Sequence, residues 1–270
     1  MGELDGKVAI VTGAGRLRGI GRATAVALAG MGCDVTVTGT GRDPATFPED
    51  EKHVGWRDIE SVAQQVEAQG RRALPLVVDV TDGGQVTEMV DKTLGAWGRV
   101  DILINNAAYA RGPDRVPITE LDEAVFRSVM DVKVVGTFLC TRAAAPAMIR
   151  QGTGGRIVNL SSTAGKRGPA NAAAYAASNG AVQLLTQSTA RELAAYGITV
   201  NAVCPGPVDT ARMDVLGRAE EWAELERSIP MGRAATDEEV AAFIAILCTD
   251  ACFHVTGQAL NFNGGSVMEH

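Results

Sequence analysis

Four glycines near the start of the chain have a spacing that suits the binding of a phosphate group. An apolar run at Val8 to Val11 predicts a buried strand, and an Ala-rich stretch from about Ile20 to Met31 predicts a helix. The glycines between them are Gly13, Gly15, Gly19 and Gly21. Glycine lets the backbone approach an anion closely, and the N–H groups and positive dipole end of a helix N-terminus attract phosphate. A glycine-rich loop alone is weak evidence, but this strand–turn–helix context favours a dinucleotide site over an ordinary loop.

The elements that must position this turn alternate along the rest of the chain. Further strands are predicted at Asp34 to Thr38, Leu74 to Val80, Arg99 to Asn105, Gly155 to Leu160, Ile198 to Val203 and Gln258 to Asn263. Helical spacing lies between them, at Ile59 to Val66, Val86 to Leu94, Leu121 to Arg150 and Ala172 to Tyr196, with a last helix after the capping pattern at Thr236. The proline-containing segment Asp43 to Gly55 is predicted to be an irregular, exposed loop.

This alternation predicts an α/β fold: a single Rossmann-like, doubly wound parallel sheet with helices on both faces. Neither a long linker nor a shift in composition divides the sequence, so we expect one domain of residues 1–270. In such a sheet, ligands bind beyond the carboxyl ends of the strands, so the residues that follow the strands are the candidates for chemistry.

Charge and composition exclude several classes of partner. The formal net charge of −7 argues against binding to nucleic acid or an anionic membrane. No run of about 18 apolar residues predicts a membrane span, and residues 1–6 lack the pattern of a signal peptide. The five cysteines are scattered, which predicts buried free thiols in the cytoplasm, and the three histidines have no metal-ligand spacing, so we expect no metal site.

Several motifs, taken in order, resemble the short-chain dehydrogenase/reductase family over essentially the whole chain. They are Thr12-Gly-Ala…Gly19-Ile-Gly21, Asp79, Asn105-Asn-Ala-Ala108, Ser161-Ser162, Tyr175, Cys204-Pro-Gly-Pro-Val-Asp-Thr210 and Asn263-Gly-Gly265. The resemblance implies a nicotinamide-dependent enzyme that interconverts alcohols and ketones, a small-molecule substrate and a homo-oligomer, either a tetramer or a dimer. It also implies that Asp209 to Arg233 forms a mobile lid over the substrate.

The resemblance assigns roles to individual residues. Tyr175 is the expected acid/base, and Ser162, 13 positions earlier, is expected to hydrogen-bond the substrate oxygen. The implied cofactor-binding residues are Gly13, Gly15, Arg16, Arg18, Gly19, Ile20, Gly21, Thr40, Arg42, Asp79, Val80, Asn106, Ala107, Pro205, Gly206, Val208 and Thr210.

The catalytic pattern departs from that of the family at two positions. The family has lysine four residues after its tyrosine and asparagine in its central helix, whereas this chain has Asn179 and Lys133 there. A free tyrosine has a pKa of about 10, and a cation within about 4–6 Å typically lowers such a value by about 1–3 units. Our hypothesis is that Lys133 reaches in from the neighbouring helix and replaces the missing ammonium beside Tyr175. The alternative is that Lys133 points elsewhere and the chain is a catalytically weak or inactive nicotinamide-binding protein with a regulatory or assembly role.

The choice between NAD and NADP depends on the residues after the second strand. An acidic residue there would bond the 2′-hydroxyl of NAD, but the sequence has Gly39 and Thr40. Arg16, Arg18 and Arg42 are candidates to meet a 2′-phosphate, whose geometry suits arginine, so NADP(H) is favoured and NAD(H) is the alternative. The ordinary interpretation of these three arginines is that they are solvated surface charges. Lys166, Arg167 and Arg111 also follow strands, which is compatible with an acidic or phosphorylated substrate or with ordinary exposed charges.

The leading prediction is an oxidoreductase that passes a hydride between NADP(H) and a secondary alcohol or ketone. The presence of Ser162 and Tyr175 argues against dehydration or double-bond reduction on the same fold without excluding either.

Overall fold

A parallel sheet forms the centre of the molecule. The computed structural model describes residues 2–217 and 219–268. Strands β1 (Val8–Val11), β2 (Asp34–Gly39), β3 (Ala73–Val77), β4 (Ile102–Asn105), β5 (Gly155–Leu160), β6 (Ile198–Pro205) and β9 (Ala259–Phe262) pair in the order β3-β2-β1-β4-β5-β6-β9, and every pairing is parallel. A second, two-stranded pairing joins β7 (Val208–Asp209) to β8 (Ala235–Thr236). The predicted doubly wound α/β fold is confirmed.

Helices cover both faces of the sheet. The helices are α1 (Ile20–Gly30), α2 (Glu49–His53), α3 (Ile59–Ala68), α4 (Gly83–Trp97), α5 (Glu123–Met130), α6 (Gly136–Gln151), α7 (Ala173–Leu193), α8 (Glu220–Arg227) and α9 (Asp237–Leu247). Along β1, Val11 packs into the core shared with α1, α3 and α9, whereas Ile10 packs into the core shared with α4 and α6. Strands buried on both faces explain why they read as continuous apolar runs in the sequence.

The segment Asp43 to Gly55 is exposed at most positions, as predicted, but it contains two short helical elements and a buried glutamate where an irregular loop was expected. Asp43 accepts a hydrogen bond from the Ala45 backbone, which starts a short 3₁₀ turn, and α2 follows. Glu51 of α2 is fully buried. The expectation failed because Glu51, polar in the sequence, faces inward onto the glycine-rich turn, where its charge has partners.

Helices α5 and α6 are joined by a π-helical turn, Asp131–Val135, so the chain is continuously helical from Glu123 to Gln151. By length and composition this stretch is apolar enough to cross a membrane, and half of its most apolar window is buried inside the protein, as in the core helix of a globular domain. The extra residue of a π turn changes which side chains face inward, and such turns are frequent at functional sites.

Candidate active site

The glycine-rich turn after β1 is held in place by the end of β4. Asn106 donates from Nδ2 to the backbone oxygens of Thr12 (2.9 Å) and Gly13 (2.8 Å). A Cβ at Gly21 would lie 2.5 Å from that Nδ2, so glycine is required there for α1 to approach. The Thr12 hydroxyl accepts from the backbone N–H groups of Asn106 and Ala107 at 3.0 and 3.2 Å. Asn106 and Ala107 therefore shape the turn.

Residues 42–58 clamp the same turn from its other side. The Leu17 backbone N–H donates to Glu51 Oε1 at 2.9 Å, and the Trp56 indole donates to the Gly15 carbonyl at 2.7 Å. Arg42 completes the arrangement, because it donates to Glu51 Oε2 at 2.8 Å and to the Gly15 carbonyl at 3.0 Å. The buried Glu51 carboxylate thus has both an ion-pair partner and a backbone donor, as a buried charge requires.

Two of the three arginines predicted to meet a 2′-phosphate are held by carboxylates. Arg42 pairs with Glu51 and lies 3.4 Å from Asp58. Arg18 bonds the Asp50 carboxylate at 2.8 Å, lies 3.5 Å from that of Asp209 and also bonds that of Asp214. For Arg16, no ion pair occurs within the described part of the chain, and burial lowers the pKa of its guanidinium. Arg16 is therefore the remaining candidate among the three.

A carboxylate does stand beside the end of β2, contrary to the expectation from the sequence. It belongs to Asp58, the residue before α3, which has a positive φ of 51° and a buried side chain. A Cβ at Gly15 would lie 1.5 Å from Asp58 Oδ1, and one at Gly39 would lie 3.6 Å from it. Sequence reasoning missed Asp58 because it inspected only the positions adjacent to β2, whereas the fold delivers this side chain from 19 residues further along.

The other predicted cofactor residues lie at carboxyl ends of strands. Thr40 follows β2, Asp79 and Val80 follow β3, and Pro205 to Thr210 run from the end of β6 through β7. Val80 is buried against Gly136 of α6, where a Cβ would lie 2.7 Å from Val80 Cγ2. These residues follow parallel strands, so they lie along the same carboxyl edge of the sheet as the turn between Gly13 and Gly21.

Ser162 and Tyr175 come from neighbouring elements that one side chain joins. Ser162 follows β5, and Tyr175 lies in the first turn of α7. Gln183, two turns further along α7, donates from Nε2 to the Ser162 carbonyl at 3.1 Å and to the Ser161 hydroxyl at 3.0 Å. Gln183 therefore fixes the end of β5 against the helix that carries the phenol.

The Asn179 side-chain amide forms its hydrogen bond within its own helix. Its Nδ2 donates to the Tyr175 carbonyl at 2.8 Å, one turn earlier, and its backbone carbonyl accepts from Ser161 at 3.1 Å. Asn179 is fully buried, and its Oδ1 has no hydrogen-bond partner among the described residues. A buried acceptor without a partner is uncommon and points to a donor supplied by a bound molecule.

Lys133 lies in the π-helical turn, which also packs against α7. The side chain is buried, and burial lowers the pKa of its amine from 10.5 to about 7, with the nearby Arg212 charge acting in the same direction. The nearby Cys204 opposes this shift. The Lys133 amine is therefore poised between its charged and neutral forms at physiological pH.

Two arginines that the sequence did not single out lie over the Tyr175 ring. The Arg115 guanidinium carbon is 3.9 Å from the ring centroid, and that of Arg212 is 5.3 Å from it. Arg115 belongs to the loop after β4, and Arg212 belongs to a 3₁₀ turn after β7. Because ligands bind beyond the carboxyl ends of parallel strands, the sequence does indicate these loops as candidates. It does not indicate which way the side chains of a loop point.

The predicted lid, Asp209 to Arg233, folds partly on itself. Trp222, Ile229 and Ala234 are buried together, with Met213 and Leu225 packed against them. Arg218 of this segment lies outside the described residues. Arg111 contacts Met213 Sδ at 3.3 Å, Lys166 donates to the Ala259 carbonyl, and Arg167 is exposed. Within residues 2–217 and 219–268, no group of three His, Cys, Asp or Glu side chains is arranged to hold a metal ion.

Comparisons with known proteins find similar reductases over nearly the full length of this chain. A family model described as enoyl-(acyl carrier protein) reductase matches residues 13–267. The 3-oxoacyl-[acyl-carrier-protein] reductase of Synechocystis is 36% identical over 269 residues, which are 99% of this chain and 100% of that protein. The short chain dehydrogenase/reductase astE of Aspergillus oryzae is 40% identical over 267 residues, 97% of this chain and 95% of that one.

A solved structure gives the same result in three dimensions. A short-chain type dehydrogenase/reductase from Mycobacterium marinum matches with a TM-score of 0.85 and 33% identity, covering 98% of this chain and 97% of that one. This chain therefore belongs to the short-chain dehydrogenase/reductase family and is an NAD(P)-dependent oxidoreductase that acts on alcohol or ketone substrates.

Proposed function

We propose that this chain interconverts a secondary alcohol and its ketone, with Tyr175 as the acid/base and Ser162 as the anchor of the substrate oxygen. The observation that carries the proposal is the link through Gln183, which holds the end of β5 beside the helix of Tyr175. In oxidation, Tyr175 accepts the hydroxyl proton; in reduction, it returns a proton to the carbonyl oxygen. Ser162 holds that oxygen by a hydrogen bond in both directions.

The residues along this edge of the sheet fit a nicotinamide dinucleotide. The N-terminus of α1 packs directly against the glycine-rich turn, since a Cβ at Gly21 would lie 2.7 Å from the Gly13 carbonyl oxygen, and Asn179 Oδ1 is a buried acceptor with no partner among the described residues. When bound, the nicotinamide would supply the hydride acceptor for oxidation of the carbinol carbon and the hydride donor for reduction of the carbonyl carbon. Asn179 Oδ1 would accept from a ribose hydroxyl in this proposal, and the α1 N-terminus would hold the phosphates.

We further propose that Lys133 supplies the ammonium that the family pattern places at position 179. Its support is the position of Lys133 in a π turn that packs against α7, the helix that carries Tyr175. In this proposal, the charged amine stabilises the phenolate form of Tyr175. The alternative role, a nicotinamide-binding protein with little catalysis, is favoured only by the absence of lysine at position 179.

For the cofactor, the geometry favours NAD, and NADP remains the alternative that Arg16 supports. Asp58 offers a carboxylate beside Gly15 and Gly39, where a 2′-phosphate would meet like charge. The three-arginine argument for NADP is weaker, because Arg18 and Arg42 already pair with carboxylates.

We also propose a homo-oligomer, a tetramer or a dimer, in the cytoplasm. Phe138 of α6 and Leu184 of α7 are large apolar side chains that remain exposed, at 44% and 67%. Light scattering on the purified protein measures the assembly directly. The cysteines support the proposed compartment, since Cys33, Cys140, Cys204 and Cys248 are buried free thiols and Cys252 is a partly buried one.

The test of the reaction is a pair of tyrosine variants. Tyr175→Phe removes the proton carrier, so kcat on an alcohol and ketone panel should fall about 10²–10⁴-fold while nicotinamide binding, read by fluorescence, is retained. Tyr196→Phe, at a half-exposed position after α7, is the matched control. Tight nicotinamide binding by the unaltered chain without turnover of any panel member would instead support the binding-protein role.

A further inference from the structure

We propose that the substrate carries a carboxylate that Arg115 and Arg212 bind beside the Tyr175 phenol. The substrate class is thus a short hydroxy acid or its oxo acid. This inference rests on the proposed function, because it locates the anion beside the phenol that moves the proton.

The first support is the convergence of two guanidinium groups on one ring. Arg115 and Arg212 are 97 positions apart in sequence, yet their guanidinium carbons lie 3.9 and 5.3 Å from the Tyr175 centroid. Both groups are substantially withdrawn from water, and burial lowers the pKa of each guanidinium. Arginine nevertheless stays charged in proteins, so these positive charges must be balanced.

The second support is the shortage of negative charge around them. Asp114, buried below Arg115, lies 3.7 Å from Arg115 Nε and is the acidic residue that acts on both arginines. Arg212 donates to the Tyr109 carbonyl, and none of the ion pairs in the described part of the chain includes it. Arg111 adds a positive charge that acts on Arg115, and the Lys133 amine lies near Arg212. One carboxylate therefore faces two arginines, with further cations behind them.

A buried cation is stable only when an anion or several acceptors compensate it. A carboxylate matches this geometry, since arginine binds carboxylates through two parallel hydrogen bonds. Both guanidinium carbons lie within 5.3 Å of the Tyr175 ring centroid, so a carboxylate bound to them lies near the phenol, which favours a short hydroxy acid. A neutral alcohol would leave the excess positive charge in place.

The cofactor pyrophosphate is the other source of an anion. Arg212 also acts on Arg16 of the glycine-rich turn, so Arg212 alone does not separate the two sources. The charges that act on Arg115 are Asp114, Tyr175 and Arg111, none of which belongs to that turn. Arg115 is therefore the residue whose substitution distinguishes a substrate carboxylate from a cofactor phosphate.

The experiment compares matched probes on the whole enzyme. Each short hydroxy acid of a panel is paired with its primary amide, and kcat/KM is measured for both with NAD and with NADP. The unaltered chain should prefer the acids by about 10–100-fold, the range expected for charged hydrogen bonds. Arg115→Gln and Arg212→Gln should each reduce the acid-to-amide ratio about tenfold or more, and Arg115→Lys should retain part of it.

Arg150→Gln, at an exposed position in the last turn of α6, is the matched control and should keep the ratio. Calorimetric titration of the oxo acid and its amide into the enzyme–cofactor complex gives a readout independent of turnover. Equal affinities for acid and amide, or a preference that survives in both variants, would overturn the inference. Arg115→Gln that weakens nicotinamide binding and keeps the ratio would also overturn it, because the anion would then belong to the cofactor. Absence of turnover on any alcohol or ketone defeats the proposed function itself, a result distinct from equal turnover of acids and amides.

Discussion

The Asn179 side chain donates from Nδ2 to the backbone carbonyl of Tyr175 at 2.8 Å, so its amide is committed to its own helix. Only its Oδ1 remains to accept a hydrogen bond, and this atom is buried without a partner among the described residues. Asn179 can therefore receive a donor such as a hydroxyl or an ammonium group, but it brings no charge to the phenol. Any positive charge that acts on Tyr175 must come from another residue.

The first prediction concerns the source of that charge. Lys133→Ala should lower kcat about 10-fold or more. A nearby cation typically stabilises an anion by the equivalent of roughly 1–3 pKa units, and this variant removes the proposed cation beside the phenolate. Asn179→Lys introduced into Lys133→Ala should restore part of the loss by returning an ammonium to the family position. Nicotinamide turnover by the four proteins measures this. Unchanged turnover in Lys133→Ala would rule out the exchange and leave Arg115 and Arg212 as the cations beside the ring.

The second prediction is a pH-dependent gain in stability when Lys133 is removed. Burial lowers the pKa of this amine from 10.5 to about 7, so the folded state resists its protonation. The unfolded chain binds the extra proton up to about pH 10.5, and the resulting penalty on folding is largest below pH 7 and declines between pH 7 and 10.5. Each pKa unit of this shift corresponds to roughly 1.4 kcal/mol. Lys133→Met should therefore stabilise the protein by a few kcal/mol at pH 6–7.

Thermal unfolding of Lys133→Met across pH 6–10 checks this sign, with Lys52→Met at the exposed end of α2 as the control. The gain should shrink as the pH rises toward 10, whereas Lys52→Met should show no such trend. A gain that is the same at every pH would mean that the Lys133 amine titrates normally in the folded protein.

The third prediction tests the clamp on the glycine-rich turn. Glu51→Gln leaves the Arg42 guanidinium without its main partner, and breaking a buried ion pair typically costs about 3–5 kcal/mol. Trp56→Phe removes the indole hydrogen bond to the Gly15 carbonyl, which Arg42 also bonds, and should cost about 0.5–1.5 kcal/mol. Both variants should also weaken nicotinamide binding, measured by fluorescence titration. Lys52→Gln on the same short helix is the control, and an equal effect from it would mean that the clamp contributes nothing specific.

The sequence was sufficient for the sheet, because apolar strands and helical spacing alternate throughout and Thr236 forms the predicted capping box with Glu239. It also located Ser162 after β5 and Tyr175 near the start of α7. It missed Glu51 and Asp58, since a charged residue in a proline-rich segment looks solvated until the fold shows its partner. It missed Arg115 and Arg212 for a related reason: loop side chains take their direction from tertiary contacts, which spacing does not encode.

The final prediction concerns discrimination between NAD and NADP. Asp58 Oδ1 lies so close to Gly15 that a Cβ there would be 1.5 Å away, so the carboxylate occupies the edge of the turn itself. A 2′-phosphate at this position would be repelled by Asp58, whereas a 2′-hydroxyl would donate to it. Arg16 would attract the same phosphate, because it forms no ion pair in the described part of the chain, whereas Arg18 and Arg42 do. We therefore expect Asp58→Ser to raise the affinity for NADPH relative to NADH about 10-fold or more, and Arg16→Gln to lower it.

Dissociation constants for NADH and NADPH, taken from quenching of protein fluorescence, measure this ratio without a substrate. Glu60→Ser, at an exposed position two residues further along α3, is the control for a general change in charge. If Asp58→Ser leaves the ratio unchanged, the carboxylate serves only to hold Arg42, to whose backbone N–H it also bonds at 3.0 Å. A preference of the unaltered chain for NADPH that disappears in Arg16→Gln would establish the NADP alternative, because Arg16 would then outweigh the carboxylate beside it.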